Sequence, residues 1–191
     1  MRYILFVLMY FSSLSLNAQE LWLGAMYGDS AEKILELFPN YETYAKEDEL
    51  RKIGSTSLTA LIGVPVELAK RPFVAGFYFN SSGLFQIIIK NKSLLNDADA
   101  NATESLLSEA LVKKYGYAIK TADPAKVAME NEPSWAVWEK DGLSIMLRRQ
   151  HDKTPTMISY ELTQAEQERL EKAAAKKYLE GTSVSQEADK L

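Results

Sequence analysis

Two stretches of the chain alternate between large apolar and polar residues in the manner of half-buried strands. In the first, Phe73, Ala75, Phe77 and Phe79 share a side, Asn80-Ser81-Ser82-Gly83 supplies a turn, and Phe85, Ile87 and Ile89 return on that side. The second runs from Trp135 through Val137, turns at Asp141-Gly142, and returns through Leu143, Ile145 and Leu147. A further strand over 156–162 points Ile158, Tyr160 and Leu162 one way, and 57–62 favours a pleated surface. The expected core is therefore Phe77, Phe79, Phe85, Ile87, Trp135, Leu143, Ile145, Ile158 and Tyr160.

Helical spacing falls between these stretches. Asp29 and Glu32 form a capping pair ahead of Ala31, Ile34, Leu35 and Phe38, and Pro39 ends that helix. Asn101 with Glu104 opens a second helix that carries Thr103, Leu106, Leu107, Ala110, Leu111 and Tyr115 on one face and stops at Gly116. Thr163-Gln164-Ala165-Glu166 is a capping box for a third, running to about Leu179 with a thin stripe of Leu170, Ala173, Ala174 and Tyr178. The order helix, strands, helix, strands, helix predicts an α+β fold in which antiparallel meanders carry helices packed on one face. The repetition admits two related halves, about 24–92 and 97–162 plus the C-terminal helix, within a single domain over 19–180. Residues 181–191 read as a polar tail.

The start of the chain has a different pattern. Met1-Arg2 leads into an apolar run from Tyr3 to Phe11, then Ser12 to Ala18, which reads as a secretory signal peptide over 1–18. The run is too short to span a bilayer, and no later one approaches the roughly 20 residues required. A mature protein beginning at Gln19, periplasmic or secreted and without a membrane anchor, is the expectation. With no Cys in the chain there is no lipoprotein anchor and no disulfide, which suits a bacterial periplasm.

Composition removes most chemistries. The 191 residues are 47% hydrophobic, and Lys plus Arg number 22 against 26 Asp plus Glu, so the net charge of −4 gives no case for binding nucleic acid. No Cys and a single His leave little for zinc, and dinucleotide, P-loop, α/β-hydrolase and zincin motifs are absent. Asp97-Ala98-Asp99-Ala100-Asn101 imitates the start of an EF-hand loop, but Ala102 and Ser108 replace the turn glycine and the bidentate acid, so helix capping explains it better. His151, in the basic run Arg148 to Lys153, has no evident nucleophile and reads as a loop residue. Paired acids such as Glu47 to Glu49, or Glu130 with Glu132, read as solvated charges. No cofactor and no metal are expected.

The segment Gly28-Asp29-Ser30-Ala31-Glu32-Lys33-Ile34, followed by Phe77-Tyr78-Phe79 and Gly83-Leu84-Phe85-Gln86-Ile87, resembles the small envelope modules of the β-lactamase-inhibitor-protein and outer-membrane-assembly-lipoprotein group. In that group a Gly-x-Ser/Thr helix start leads into a Phe-rich strand, a turn and a Leu-started return. The second half, with Leu111 to Gly116 and Trp135 to Leu147, repeats the theme. The resemblance implies a non-enzymatic binding or interaction module. A hydrolase-like periplasmic enzyme and an inhibitor of an envelope or secreted enzyme stay open as alternatives. Alternation that buries Phe77, Ile87, Val137 and Ile145 sends Tyr78, Gln86, Ile88, Trp138, Met146 and Arg148 to the opposite face. Tyr78, Ile88, Trp138, Met146 and Arg148 are the expected binding residues, with Trp138 the anchor for a protein or peptide partner or for self-association.

Overall fold

A computed structural model describes residues 19–43, 60–92, 95–130, 132–149 and 156–181. The signal segment, the acids at 47–49, His151 and 182–191 of the C-terminal tail lie outside the described residues, as do 57–59 of the first strand expected. An N-terminal lead contains β1 (Glu20–Trp22) and β2 (Ala25–Met26), paired as a small ribbon, and runs into α1 (Ala31–Leu37). There follow β3 (Glu42–Thr43), β4 (Ala60–Leu68), β5 (Arg71–Asn80), β6 (Gly83–Asn91), α2 (Asp97–Tyr115), β7 (Lys120–Thr121), α3 (Pro124–Met129), β8 (Ser134–Lys140), β9 (Leu143–Arg149), β10 (Met157–Leu162) and α4 (Gln164–Gly181). The α+β architecture read from the sequence is the one observed. All of β3 to β10 join one antiparallel sheet in the order β3-β4-β5-β6-β10-β9-β8-β7. Each half is a meander that begins at an outer edge and ends at the centre, where β6 pairs with β10.

Helices α1, α2 and α4 share one face of this sheet. Ile34 of α1, Thr103, Leu107 and Leu111 of α2, and Leu170 of α4 lie against it. The core beneath them comprises Phe73, Phe77, Leu84, Ile87 and Ile89 from the first hairpin, and Trp138, Leu143, Ile145, Leu147, Ile158, Tyr160 and Leu162 from the second meander. Trp22 of the lead closes one end, stacked on Phe38 with ring centroids 5.8 Å apart and tilted against Phe77 at 6.3 Å. Arg149 closes the other. It is a buried strand residue where a loop was expected, paired with Glu104 at 3.6 Å and hydrogen-bonded to Asn101, both on α2.

Sequence signals and structure differ locally for identifiable reasons. Ser30, not Asp29, caps α1 by accepting from the Lys33 amide; Asp29 is buried, where its carboxylate accepts from the Met26 amide at 2.8 Å and from Lys33 Nζ at 2.7 Å. Asn96 caps α2, so the Asp97 to Asn101 run is the first turns of the helix, and Leu106 falls on its exposed side. Thr163 accepts from the Glu166 amide as half of the capping box, but its own amide goes to the Gly142 carbonyl, leaving Glu166 to pair with Arg169.

Three inward assignments are corrected, those of Phe85, Trp135 and Val137, the last lying opposite Met146 on the far face. A register shift in the β5–β6 pairing sets Leu84 opposite Phe79, so Leu84 takes the buried place expected for Phe85, which turns to the other face. In the second hairpin the two-residue turn at Asp141-Gly142 pairs Lys140 with Leu143, Trp138 with Ile145 and Ala136 with Leu147. Directly opposed residues share a face, so an inward Ile145 requires an inward Trp138. Trp138 is 1% exposed and donates its indole N–H to the Gly116 carbonyl at 3.0 Å, whereas Trp135 is 36% exposed on the far face.

This contrast predicts unequal costs. Trp138→Ala loses about 3–5 kcal/mol of stability, while Trp135→Ala stays within about 1 kcal/mol. Chemical denaturation of the two variants checks the assignment, and equal losses would show that both indoles are buried.

Candidate interaction face

The sheet surface turned away from the helices can be read row by row from the register. A central row crosses from Val137 through Met146, Ser159 and Ile88 to Gly76. On one side of it runs Trp135, Arg148, Met157, Lys90 and Val74. On the other runs Glu139, Ser144, Glu161, Gln86 and Tyr78. Neighbouring strands are about 4.8 Å apart and successive rows about 6.7 Å apart. Basic side chains thus lie to one side of an apolar row and acidic ones to the other.

The residues expected from alternation divide between the two faces. Tyr78, Ile88, Met146 and Arg148 are on this one, and Trp138 is on the other. Tyr78 and Ile88 are buried and form a small second cluster with Phe85 and Met157. Beside them Gly76, having no side chain, floors a small recess of about 20 Å³ edged by Val74, Tyr78, Ile88 and Lys90. The β8–β10 part is more open: Met146, Val137, Met157 and Ser159 are half-buried, while Trp135, Arg148 and Glu139 are exposed. Sequence reasoning missed Trp135 as the outward indole. The signal was present, because counting back from the Asp141-Gly142 turn pairs position 135 with 148 and not with an inward residue.

Two groups in the acidic row are shifted in their protonation. Burial pushes the Tyr78 hydroxyl up to about 12. The Glu161 carboxyl is also raised by burial, opposed by the hydrogen bond that Gln86 Nε2 donates to it at 2.8 Å. Tyr160, next to Glu161 in the chain, faces the core, where burial and then Tyr115 hold its hydroxyl well above the ordinary tyrosine range.

Elsewhere, a cleft of about 320 Å³ lies between the N-terminal lead and the β8–β9 turn, lined by Gln19, Trp22, Lys114, Tyr115 and Asp141 among others. Neither Tyr78 nor Glu161 lines it. Among the described residues there is no group of three or more His, Asp or Glu placed to hold a metal ion. No described helix is long and apolar enough to cross a membrane.

The fold and this face define an antiparallel α+β protein with one helix-covered and one mixed apolar and charged sheet surface. No family model and no curated protein matches the chain. Among solved structures it is similar to a DUF4309 family protein (YjgB) from Bacillus subtilis, with a TM-score of 0.39 and 11% identity over 76% of this chain and 84% of that one.

The raised Glu161 carboxyl has a pH signature. The folded chain holds that proton more tightly than the unfolded chain does, so stability falls as pH rises from the ordinary glutamate range through the raised value. Glu161→Gln stays uncharged and can still meet Gln86. It raises the unfolding midpoint at neutral pH and flattens the dependence across that interval. Thermal unfolding of dilute protein over a pH series checks this, and a variant less stable than wild type at neutral pH would refute the desolvation account.

Proposed function

We propose that the chain is an exported, non-enzymatic binding module of the bacterial cell envelope that engages a protein or peptide partner through the sheet face opposite its helices. The observation that carries the reading is the composition of that face over β8–β10. Trp135, Val137, Met146 and Met157 lie together there and are flanked by Arg148 on one side and Glu139 and Glu161 on the other. Aromatic, methionine and arginine side chains on a flat, rigid support suit protein recognition better than turnover of a small substrate. Export rests on the charged start, apolar run and small residue at Ala18. The resemblance of Gly28–Ile34 and Gly83–Ile87 to small envelope modules agrees with both parts.

Mass spectrometry of protein recovered from the envelope of producing cells is expected to find Gln19 as the first residue; a retained Met1 would overturn export. For docking, a photo-reactive phenylalanine analogue replaces Trp135 in one variant and Glu109, exposed on α2, in another. Irradiation in cells is expected to yield covalent protein adducts from position 135 and not from 109. Equal yields, or none from 135, would remove the face from consideration as a docking surface.

A further inference from the structure

We propose that docking of the N-terminal lead closes the bond between Ala18 and Gln19 to the peptidase that removes the signal segment, so that processing is confined to chain that has not finished folding. The inference rests on the reading of residues 1–18 as an export signal and adds the regulation of its removal. Hydrolysis of that bond adds one water across it, leaving a carboxylate on Ala18 and an ammonium on Gln19.

An endopeptidase takes the residues on both sides of a bond as an extended strand whose backbone groups are free to pair with its own cleft. On the downstream side of Ala18 those residues are already committed. The Gln19 carbonyl accepts from the Tyr27 amide at 2.9 Å. Glu20 pairs with Met26 across the ribbon, and its Oε1 accepts from the Gly24 amide at 2.9 Å. Leu21 is 1% exposed and Trp22 8%. Gln19 itself is half-buried, and with Leu21 and Trp22 it walls the cleft that Tyr115, Asp141 and Leu143 complete from the other side.

The fold therefore begins at the first residue past the bond, with no spacer. Freeing Gln19 to Trp22 means drawing a leucine and a tryptophan out of the core and breaking the stack of Trp22 on Phe38. Burial of two such side chains holds the open form to fewer than about one molecule in a hundred. Cleavage that tracks the open population slows by the same factor.

The surfaces that receive the lead come late in the chain. Strand β1 touches β10, and Leu21 lies in one cluster with Leu143 and Leu162. A chain that crosses a membrane from its N-terminus presents the Ala18–Gln19 bond well before β9 and β10 arrive, and until they do the lead has no complete surface to dock on. Contacts between such distant parts of a sequence also form slowly. The order of the chain thus opens an interval for processing, and completion of the sheet ends it.

The test uses the full precursor, residues 1–191, and a type I signal peptidase in detergent, the kind suited to a chain without a lipoprotein cysteine. Folded wild-type precursor is compared with an Ile87→Asp precursor, in which a charge replaces a side chain that is 0% exposed and keeps the chain unfolded while the residues around the bond stay the same. Release of a product beginning at Gln19 is expected at least about 100-fold more slowly from the folded wild type. A third precursor carries a glycine–serine linker of about ten residues, roughly 30 Å when extended, between Ala18 and Gln19. It keeps the wild-type unfolding midpoint and, although folded, is expected to be cut after Ala18 as fast as the unfolded chain. Equal rates for the folded wild type and Ile87→Asp overturn the proposal. So does a linker precursor that stays as slow as wild type, because the lead would then not be what shields the bond. An Ile87→Asp precursor that is not cut at all removes the export signal itself, and the proposal with it, whereas rapid cutting of every precursor keeps the signal and removes only the gating by the lead.

Discussion

Five consecutive pairs between β6 and β10, from Lys90 opposite Met157 to Gln86 opposite Glu161, turn two separate meanders into one sheet. Everything that distinguishes the two faces depends on that join. On one side it sets Ile87 against Tyr160 and Ile89 against Ile158, so the cores of the two halves merge under the helices. On the other it aligns Ile88 with Ser159 and Gln86 with Glu161, carrying the rows of the outer face across the whole sheet. A slip of one residue at this join would turn the apolar residues of one half to the wrong side.

The helices and the lead are held to this sheet at its turns. The Gly28 amide donates to the Leu84 carbonyl and the Leu84 amide to the Asp29 carbonyl, both at 2.8 Å, so the entry to α1 is stitched to the β5–β6 turn. Gly83 permits that approach: its φ is +107°, and a methyl group there would collide with the Gly28 carbonyl oxygen. The Gly28-Asp29 and Gly83-Leu84 motifs, far apart in the chain, are thus two sides of one backbone contact. At the β8–β9 turn the start of α4 meets Gly142 in a comparable way, with the Thr163 amide on the Gly142 carbonyl.

Most elements were legible because their signals are local. The Asp141-Gly142 turn, the Gly116 stop and the alternation in β5, β9 and β10 need no information beyond a few neighbours. Where the reading failed, a second constraint was missing. Trp135 and Trp138 differ by three positions and so by one face, and only counting pairs outward from the turn decides between them. Phe85 was misplaced by a register shift that leaves no composition signal. Strand β4 continues past Gly63 and Pro65, residues that argue against a strand when taken alone, because β5 pairs with it from Ala60 to Leu68. The short β7 depends on its pairing with β8, and α3, six residues long, buries no side chain and so has no apolar stripe to read. Alternation puts Tyr78, Ile88, Met146 and Arg148 on the side away from the helices, and Trp138 departs because the inward side of β8 follows from its pairing with β9.

Among the described residues the outermost strands, β3 and β7, are two residues long each, and β4 just inside the first rim carries Pro65, which has no amide to donate. A rim so short presents few free backbone groups to a strand arriving from elsewhere. Another chain therefore finds little ladder to extend, and runaway edge-to-edge stacking is discouraged at both ends of the sheet. With its margins blunted in this way, the molecule can leave the β8–β10 part of its second sheet face without a described helix over it and still not become a seed for fibres.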